Sequence, residues 1–260
     1  MRLKRRVLRR KLGKLYYKMP ICIYKLTDST NTRAKLLADG GFNGSAVFLA
    51  DEQSNGRGRM DRRFISEKNK GLYLSILLSK DAARKSGIAI TTYMAVIASR
   101  VIENLTPMSP QIKWVNDIYV GGKKLAGILT EGKTNPDTVE LEYAICGIGV
   151  NILKQDFDTD VKRIATSIED ECGVRLDVNL LASEIITEFF SNLDLVGSEQ
   201  ISKEYKERSF LIGKSVDVIK LSETYTATVL DITDDCSLRV KREDGSVEML
   251  STGEVSIRAI

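Results

Sequence analysis

The sequence contains no histidine. That excludes a Ser-His-Asp triad and a Cys-His pair, and it removes the commonest zinc ligand. The four cysteines (Cys22, Cys146, Cys172 and Cys236) lie far apart and form no C-x-x-C pair. They do not replace the missing ligand and read as free thiols in a reducing cytoplasm. Any proton transfer falls to Asp, Glu, Lys or Tyr. The chain has no run of 18 apolar residues, and no apolar stretch follows its charged N-terminus. Neither a transmembrane helix nor a secretory signal is expected. The formal charge is only +4, too small by itself to argue for nucleic acid. What the chain does have is 260 residues, 43% of them hydrophobic, enough for one large domain and a small one.

Residues 1–14 carry eight basic residues, with Leu8, Leu12 and Leu15 at helical spacing. They read as a solvated arm or a short amphipathic helix, and the arm is taken as residues 1–20. "ICIYKLTDSTNTRAKLLADGG" reads as strand, polar turn, helix and stop. Asp28 or Ser29 is placed to cap the helix, and Gly40-Gly41 to end it. "SAVFLA" and "GLYLSILLS" are strands, and residues 91–105 form a helix with Met94, Ile97, Val101 and Leu105 on one face. "IKWVNDIYV" and "KKLAGILTE" flank Gly121-Gly122 as a hairpin. Residues 138–151 return as a long strand, and helices follow near 179–194 and 198–208. Strands in succession, with helices between blocks, predict an α+β domain over 21–209 with a mixed or antiparallel sheet. From Phe210 the pattern changes to short strands separated by turns, which predicts a small β-barrel over 210–260.

Three stretches carry candidate chemistry. "GILTEGKT" (127–134) fits the phosphate-binding pattern G-x-x-x-x-G-K-[ST], but a strand rather than a helix follows it, so it reads as coincidence. "ADEQSNGRGRMDRRF" (50–64) packs two glycines and four arginines into one loop. Glycines let backbone approach a ligand, and arginines supply fixed charge and paired donors for carboxylate or phosphate. The alternative is a basic surface loop. Lys113, Asn116 and Asp117 interrupt an apolar run beside Trp114 and Ile118. Buried polar groups are costly unless paired, so their clustering suggests a site rather than a hairpin edge. Lys124 opens the returning strand and can reach back across the hairpin.

"DSTN", "Q-x-x-GRGR-x-x-R-x-F", "KW-x-ND", "KKLAGIL" and "GIGVN" occur in the order and spacing of the biotin protein ligases, and the chain resembles that family from about Thr27 to Asn151. "GEVSIR" (253–258) resembles the last strand of the family's C-terminal domain. The resemblance implies a class II aminoacyl-tRNA-synthetase-like catalytic sheet backed by helices, then a Src-homology-3-like barrel. It implies an enzyme that joins biotin to ATP, with magnesium, to give biotinyl-5′-adenylate and pyrophosphate. Biotin then passes to one lysine of a biotin carboxyl carrier protein. By the same resemblance Ser29, Thr30, Asn31 and Gln53 contact biotin, as do Arg57, Gly58, Arg59 and Lys124. Gly56, Arg57, Arg59, Asn116 and Asn151 contact the nucleotide, and no protein metal ligands are assigned. Lys124, Asp117 and Arg59 are the expected catalytic residues, with Asp117 orienting or deprotonating the carrier lysine.

The chain departs from the family pattern at Val115, where proline is usual, and at Phe64, where tryptophan is usual. Asp61 stands where glycine is usual, and Met60 where a basic residue is common. Only about 20 residues precede the first strand, too few for a winged-helix DNA-binding domain, so a ligase-only enzyme is expected. Monomer and homodimer both stay open. A lipoate–protein ligase shares the scaffold, but the GRGR loop and the C-terminal barrel favour biotin. A nucleic-acid-binding reading through residues 1–14 and Arg57–Arg63 leaves Asn116, Asp117 and Lys124 unexplained.

Overall fold

In the computed structural model, which describes residues 2–60, 62–83, 87–135, 137, 140–155, 159–220, 223–251 and 254–257, the basic N-terminal residues form a helix, α1 (Arg5–Leu12), and a short 3-10 turn (Gly13–Tyr17). Of the two readings of this segment, the amphipathic helix is the one found. Leu8 and Leu12 are buried, and so is Leu3 ahead of the helix. Burying each leucine contributes roughly 1.5–3 kcal/mol, which ties the segment down while its arginines stay in water. The Leu3 amide donates to Asp51 Oδ1 at 2.8 Å, and the Lys4 amide to Asn179 Oδ1 at 2.7 Å.

The larger sheet begins with β1 (Ile21–Tyr24), crosses over through α2 (Thr30–Asp39) and continues with β2 (Ala46–Ala50) and β3 (Gly71–Leu78). A long helix, α3 (Gly87–Leu105), leads to β4 (Gln111–Lys113), β5 (Asp117–Val120), β6 (Lys123–Thr134) and β7 (Leu141–Asn151). The sheet order is β1-β2-β3-β7-β6-β5-β4. Only β1 and β2 are parallel, as a strand–helix–strand crossover requires; the other pairs are antiparallel, so the sheet is mixed. Gly121 and Gly122, at φ 58° and 78°, supply the two positive-φ residues of the tight β5–β6 turn. "IKWVNDIYV", expected as one run, is broken into β4 and β5 by a turn at residues 114–116, with the Trp114–Val115 peptide cis. The turn has its own anchors. The Trp114 indole donates to the Cys236 carbonyl at 2.9 Å, and Asn116 bonds to β6 instead of continuing a strand. "GILTEGKT" lies wholly within β6.

Short helices α4 (Thr159–Ile164) and α5 (Ile168–Cys172), which the sequence reading did not find, precede α6 (Val178–Ser191) and α7 (Glu199–Arg208). Each is too short for a clear apolar repeat. Helices α1, α3, α6 and α7 cover one face of the sheet, packing on Val47, Leu49, Leu74, Ile76, Cys146 and Ile148. Residues 88–105 of α3 reach a mean hydropathy of 1.2, enough by length and composition for a membrane span. The apolar surface is used inside the protein: from Tyr93 to Ala98 every side chain is fully buried. On the opposite face the ten-residue α2 covers Ala46, Phe48, Leu77, Tyr143 and Ile145.

The C-terminal residues form β8 (Ser215–Ile219), β9 (Thr224–Ile232), β10 (Leu238–Arg242), β11 (Val247–Leu250) and β12 (Glu254–Ile257), paired in the order β11-β10-β9-β8-β12. All four pairings are antiparallel. Gly253 and Arg258 of "GEVSIR" lie outside the described residues. Lys220, Tyr225 and Arg242 converge on Glu248. The hydrogen bond from Lys220, then that from Tyr225, lowers the Glu248 carboxyl from its ordinary 4.5 to about 2. A depressed carboxylate stabilises the folded state above its unfolded value and loses that contribution as pH falls through its folded value. Glu248→Gln is therefore expected to destabilise the protein at neutral pH. The gap to wild type should close between pH 4.5 and about 2, which urea unfolding followed against pH will show.

Candidate functional site

The uncovered half of that second face is a cleft. On β7, alternate residues Tyr143 and Ile145 point to the α2 side. Gly147, Gly149 and Asn151 continue the same face toward the strand's end. On β6, Gly127 pairs with Gly149 and Leu129 with Gly147. Three glycines thus make a floor without side chains. The space above it is taken: a Cβ on Gly147 would lie 2.1 Å from Asn31 Oδ1, and one on Gly149 would lie 2.4 Å from the Phe64 ring. The walls come from Ser29, Thr30, Asn31, Gln53, Arg57 and Phe64.

One wall is the start of α2. Ser29 occupies the capping position, yet its side chain makes no capping hydrogen bond. The expected cap is supplied from elsewhere, because Gln53 Oε1 accepts from the Thr30 amide at 2.8 Å and from its hydroxyl at 3.1 Å. Gln53 Nε2 donates to Ser66 Oγ at 2.8 Å. The Ser29 hydroxyl is thereby left in the cleft wall, uncommitted to the helix. Asp28 instead binds the Ser29 amide, the Thr27 hydroxyl and Arg33. Burial alone would raise its carboxyl, but these partners outweigh burial and hold it below the ordinary range.

The arginine loop folds back on itself. Gly58 N donates to Arg62 O at 2.7 Å and Phe64 N to Gly56 O at 3.0 Å. A Cβ on Gly56 would sit 2.4 Å from Phe64 O and 2.5 Å from Ser66 Oγ, so only glycine fits there. Arg57 reaches Glu131 on β6, with Nη2 2.9 Å from Oε1. Arg59 Nη1 donates to Asn116 Oδ1 at 3.2 Å. Met60 is exposed at φ 51°, and Asp61 lies outside the described residues.

At the far end, Lys124 and Asp117 meet across the hairpin, with Nζ 2.7 Å from Oδ1. The approach is an ion pair without hydrogen-bond geometry at that oxygen. A bulge makes it possible. The β5–β6 register slips after Ile118, so that Tyr119 opposes Lys124 rather than Leu125. The extra residue turns Lys124 onto the face of Gly127, where its Cε lies 3.1 Å from the position a Gly127 Cβ would take. Asn116 is fixed to β6 twice: Nδ2 donates to Ile128 O, and its carbonyl accepts from Ile128 N, both at 2.9 Å.

The structure sets Ser29, Thr30, Gln53 and Arg57 in the cleft's lining, with the Lys124–Asp117 pair beside its Gly127 and the Arg59–Asn116 pair on the adjoining turn. Asn31 lines it too, but its amide is engaged by Leu129 O, Glu131 and Ser75. Asn151 lies on the floor's face, holding Thr166 O and Gln155. The sequence reading missed Gly127, Gly147, Gly149 and Glu131. The alternation of Gly147, Gly149 and Asn151 in "CGIGVN" was the available signal. The two buried tyrosines nearby are poor bases: burial pushes both phenols up, and Tyr205 donates to Val115 O and Tyr73 to Glu67 O. Among the described residues no three Asp, Glu or Cys side chains cluster as a metal cage.

Residues 23–151 match the biotin/lipoate A/B protein ligase family, and residues 211–258 match the biotin protein ligase C-terminal domain. The chain is similar to the bifunctional ligase/repressor BirA of Bacillus subtilis, at 30% identity over 233 residues, covering 88% of this chain and 71% of that one. It is similar to the biotin–[acetyl-CoA-carboxylase] ligase of Paracoccus denitrificans, at 28% identity, covering 88% and 97%. The fold is that of the Aquifex aeolicus biotin protein ligase solved with biotin and ATP, with a TM-score of 0.77 at 23% identity, covering 92% and 98% of the two chains. The chain belongs to the biotin protein ligase family.

Proposed function

We propose that this enzyme, a biotin–protein ligase, works through the cleft described above, with its adenylation chemistry at the Lys124–Asp117 end. The observation that carries this reading is one cleft whose two ends differ chemically. One end offers neutral hydroxyl and amide groups from Ser29, Thr30 and Gln53, which suit the ureido ring of biotin. The other gathers Lys124, Arg59, Asn116 and Asp117. The glycine floor between them brings Asn31, Phe64 and Lys124 close against the strands. The division into a catalytic domain (21–209) and a C-terminal domain (210–260) belongs to the same reading, and the cytoplasm suits the four free thiols.

Attack of biotin's carboxylate on the α-phosphate of ATP brings two anions together. Lys124 and Arg59 offset that repulsion most where charge develops in the transition state. The pairing of Lys124 with Asp117 holds the ammonium over Gly127, at the mouth of the floor. Asn116 holds Arg59 in the same region. No carboxylate cluster among the described residues would hold a magnesium ion, so one would come in with the triphosphate and would supply charge neutralisation for the pyrophosphate. In the second step the carrier lysine must lose a proton as its nitrogen attacks the acyl carbon. Asp117 is the carboxylate at hand.

Incubation with ATP, magnesium, labelled biotin and a biotin carrier domain should label the carrier. No label, or label only when lipoate replaces biotin, would sink the reading. Lys124→Ala is expected to slow pyrophosphate release by roughly 10- to 1000-fold, as measured by rapid quench; a normal rate would remove the lysine from the mechanism. Gly147→Ala places a methyl group on Asn31 and is expected to cost about 1–3 kcal/mol of stability. It should also weaken biotin binding in calorimetric titration, whereas wild-type affinity would show that the floor is not the biotin site.

A further inference from the structure

The two central arginines of the loop reach different strands. Arg59 donates to Asn116 Oδ1, next to β5. Arg57 meets a carboxylate with both ends of its fork, Nη2 to Glu131 Oε1 at 2.9 Å and Nη1 to Oε2 at 3.3 Å. Glu131 is also tied to the cleft. Its Oε2 accepts from Asn31 Nδ2 at 2.8 Å, and Asn31 Oδ1 accepts from the Ser75 hydroxyl at 2.6 Å. Ser75 lies in turn 2.7 Å from Thr30 Oγ1. One carboxylate on β6 therefore links the loop to the groups that line the neutral end of the cleft.

We propose that Glu131 is a positioning residue, and that Arg57 acts through it as the clasp of the arginine loop rather than as a ligand of the reacting anions. The proposal rests on the biotin-ligase reading of this cleft. A guanidinium whose fork is filled by one carboxylate has its charge offset and its paired donors committed. Holding a second carboxylate or a phosphate would mean giving up the first. The pair joins residues 74 positions apart, from the arginine loop to β6. Its side chains are 41% and 25% exposed, and partly exposed pairs of this kind add little to global stability. Its effect is on where the loop sits, so adenylate retention should respond and unfolding should not.

A double-mutant cycle tests this in the full-length protein, with Arg57→Gln, Glu131→Gln and the double variant. The readouts are the half-life of enzyme-bound biotinyl-adenylate, the KM for biotin and the urea midpoint. Each single change is expected to shorten the half-life about tenfold, the double being no worse than the poorer single, as for residues that act as one unit. The urea midpoints should stay together. The milder Arg57→Lys keeps the charge but loses the fork, and should fall between wild type and Arg57→Gln. Losses that multiply in the double variant would overturn the proposal. So would a Glu131→Gln variant that holds adenylate normally while Arg57→Gln does not. Failure of the unmodified protein to form any adenylate is a separate result, and it counts against the ligase reading itself.

Discussion

The cleft exists because three residues on two paired strands have no side chains. Gly127 and Gly149 face each other across β6 and β7, and Gly147 lies beside them. Everything that shapes the site uses the space they leave: the Asn31 amide over Gly147, the Phe64 ring over Gly149 and the Lys124 stem over Gly127. A methyl group at any of the three would press on a group the site needs. Glycine in the middle of a strand costs conformational entropy. Here that cost is borne by a sheet whose other face is closed by α3, α6 and α7. The sheet can leave half of one face uncovered because the remaining face buries enough apolar surface to hold it.

On that floor, the functional groups are held by neighbours distant in sequence. Gln53, at the start of the arginine loop, closes the N-terminus of α2 and so frees Ser29 for the cleft. The loop meets β6 through Glu131 at one end and reaches Asn116 at the other. The β4–β5 turn that carries Asn116 and Asp117 is itself braced from outside the catalytic sheet, by the Trp114 indole on the Cys236 carbonyl and by Tyr205 of α7 on Val115. The C-terminal sheet thus contributes to the site without lining it. The Val115 departure from the family's proline sits within this brace.

Much of the fold was legible because periodicity and turn chemistry are local. The α2 and α3 helices, the Gly121-Gly122 hairpin and the short C-terminal strands each followed from neighbours in sequence, and the absence of a helix after "GILTEGKT" ruled out a phosphate loop. The failures have physical reasons too. "IKWVNDIYV" looked like one strand because nothing in it announces a turn, and the turn is held by Cys236 and Ile128 from elsewhere. Helices α4 and α5 have too few residues for an apolar repeat. The run-counting that excluded a membrane span passed over α3, whose small polar residues Thr91, Thr92 and Ser99 break the run while being buried with their neighbours.

By itself, the sequence determined the class of chemistry. Without histidine, proton transfer fell to Asp, Glu, Lys or Tyr, and the GRGR and KWxND motifs supplied the candidates. Only the tertiary structure decided what each of those groups faces. Charge is visible residue by residue, but its partner is not: Arg57 and Arg59 are two positions apart in one loop, and one meets Glu131 while the other meets Asn116. Lys124 reaches the cleft because a one-residue bulge turns it to the other side of β6. Register and bulges arise from pairing between strands, and no single strand carries that information.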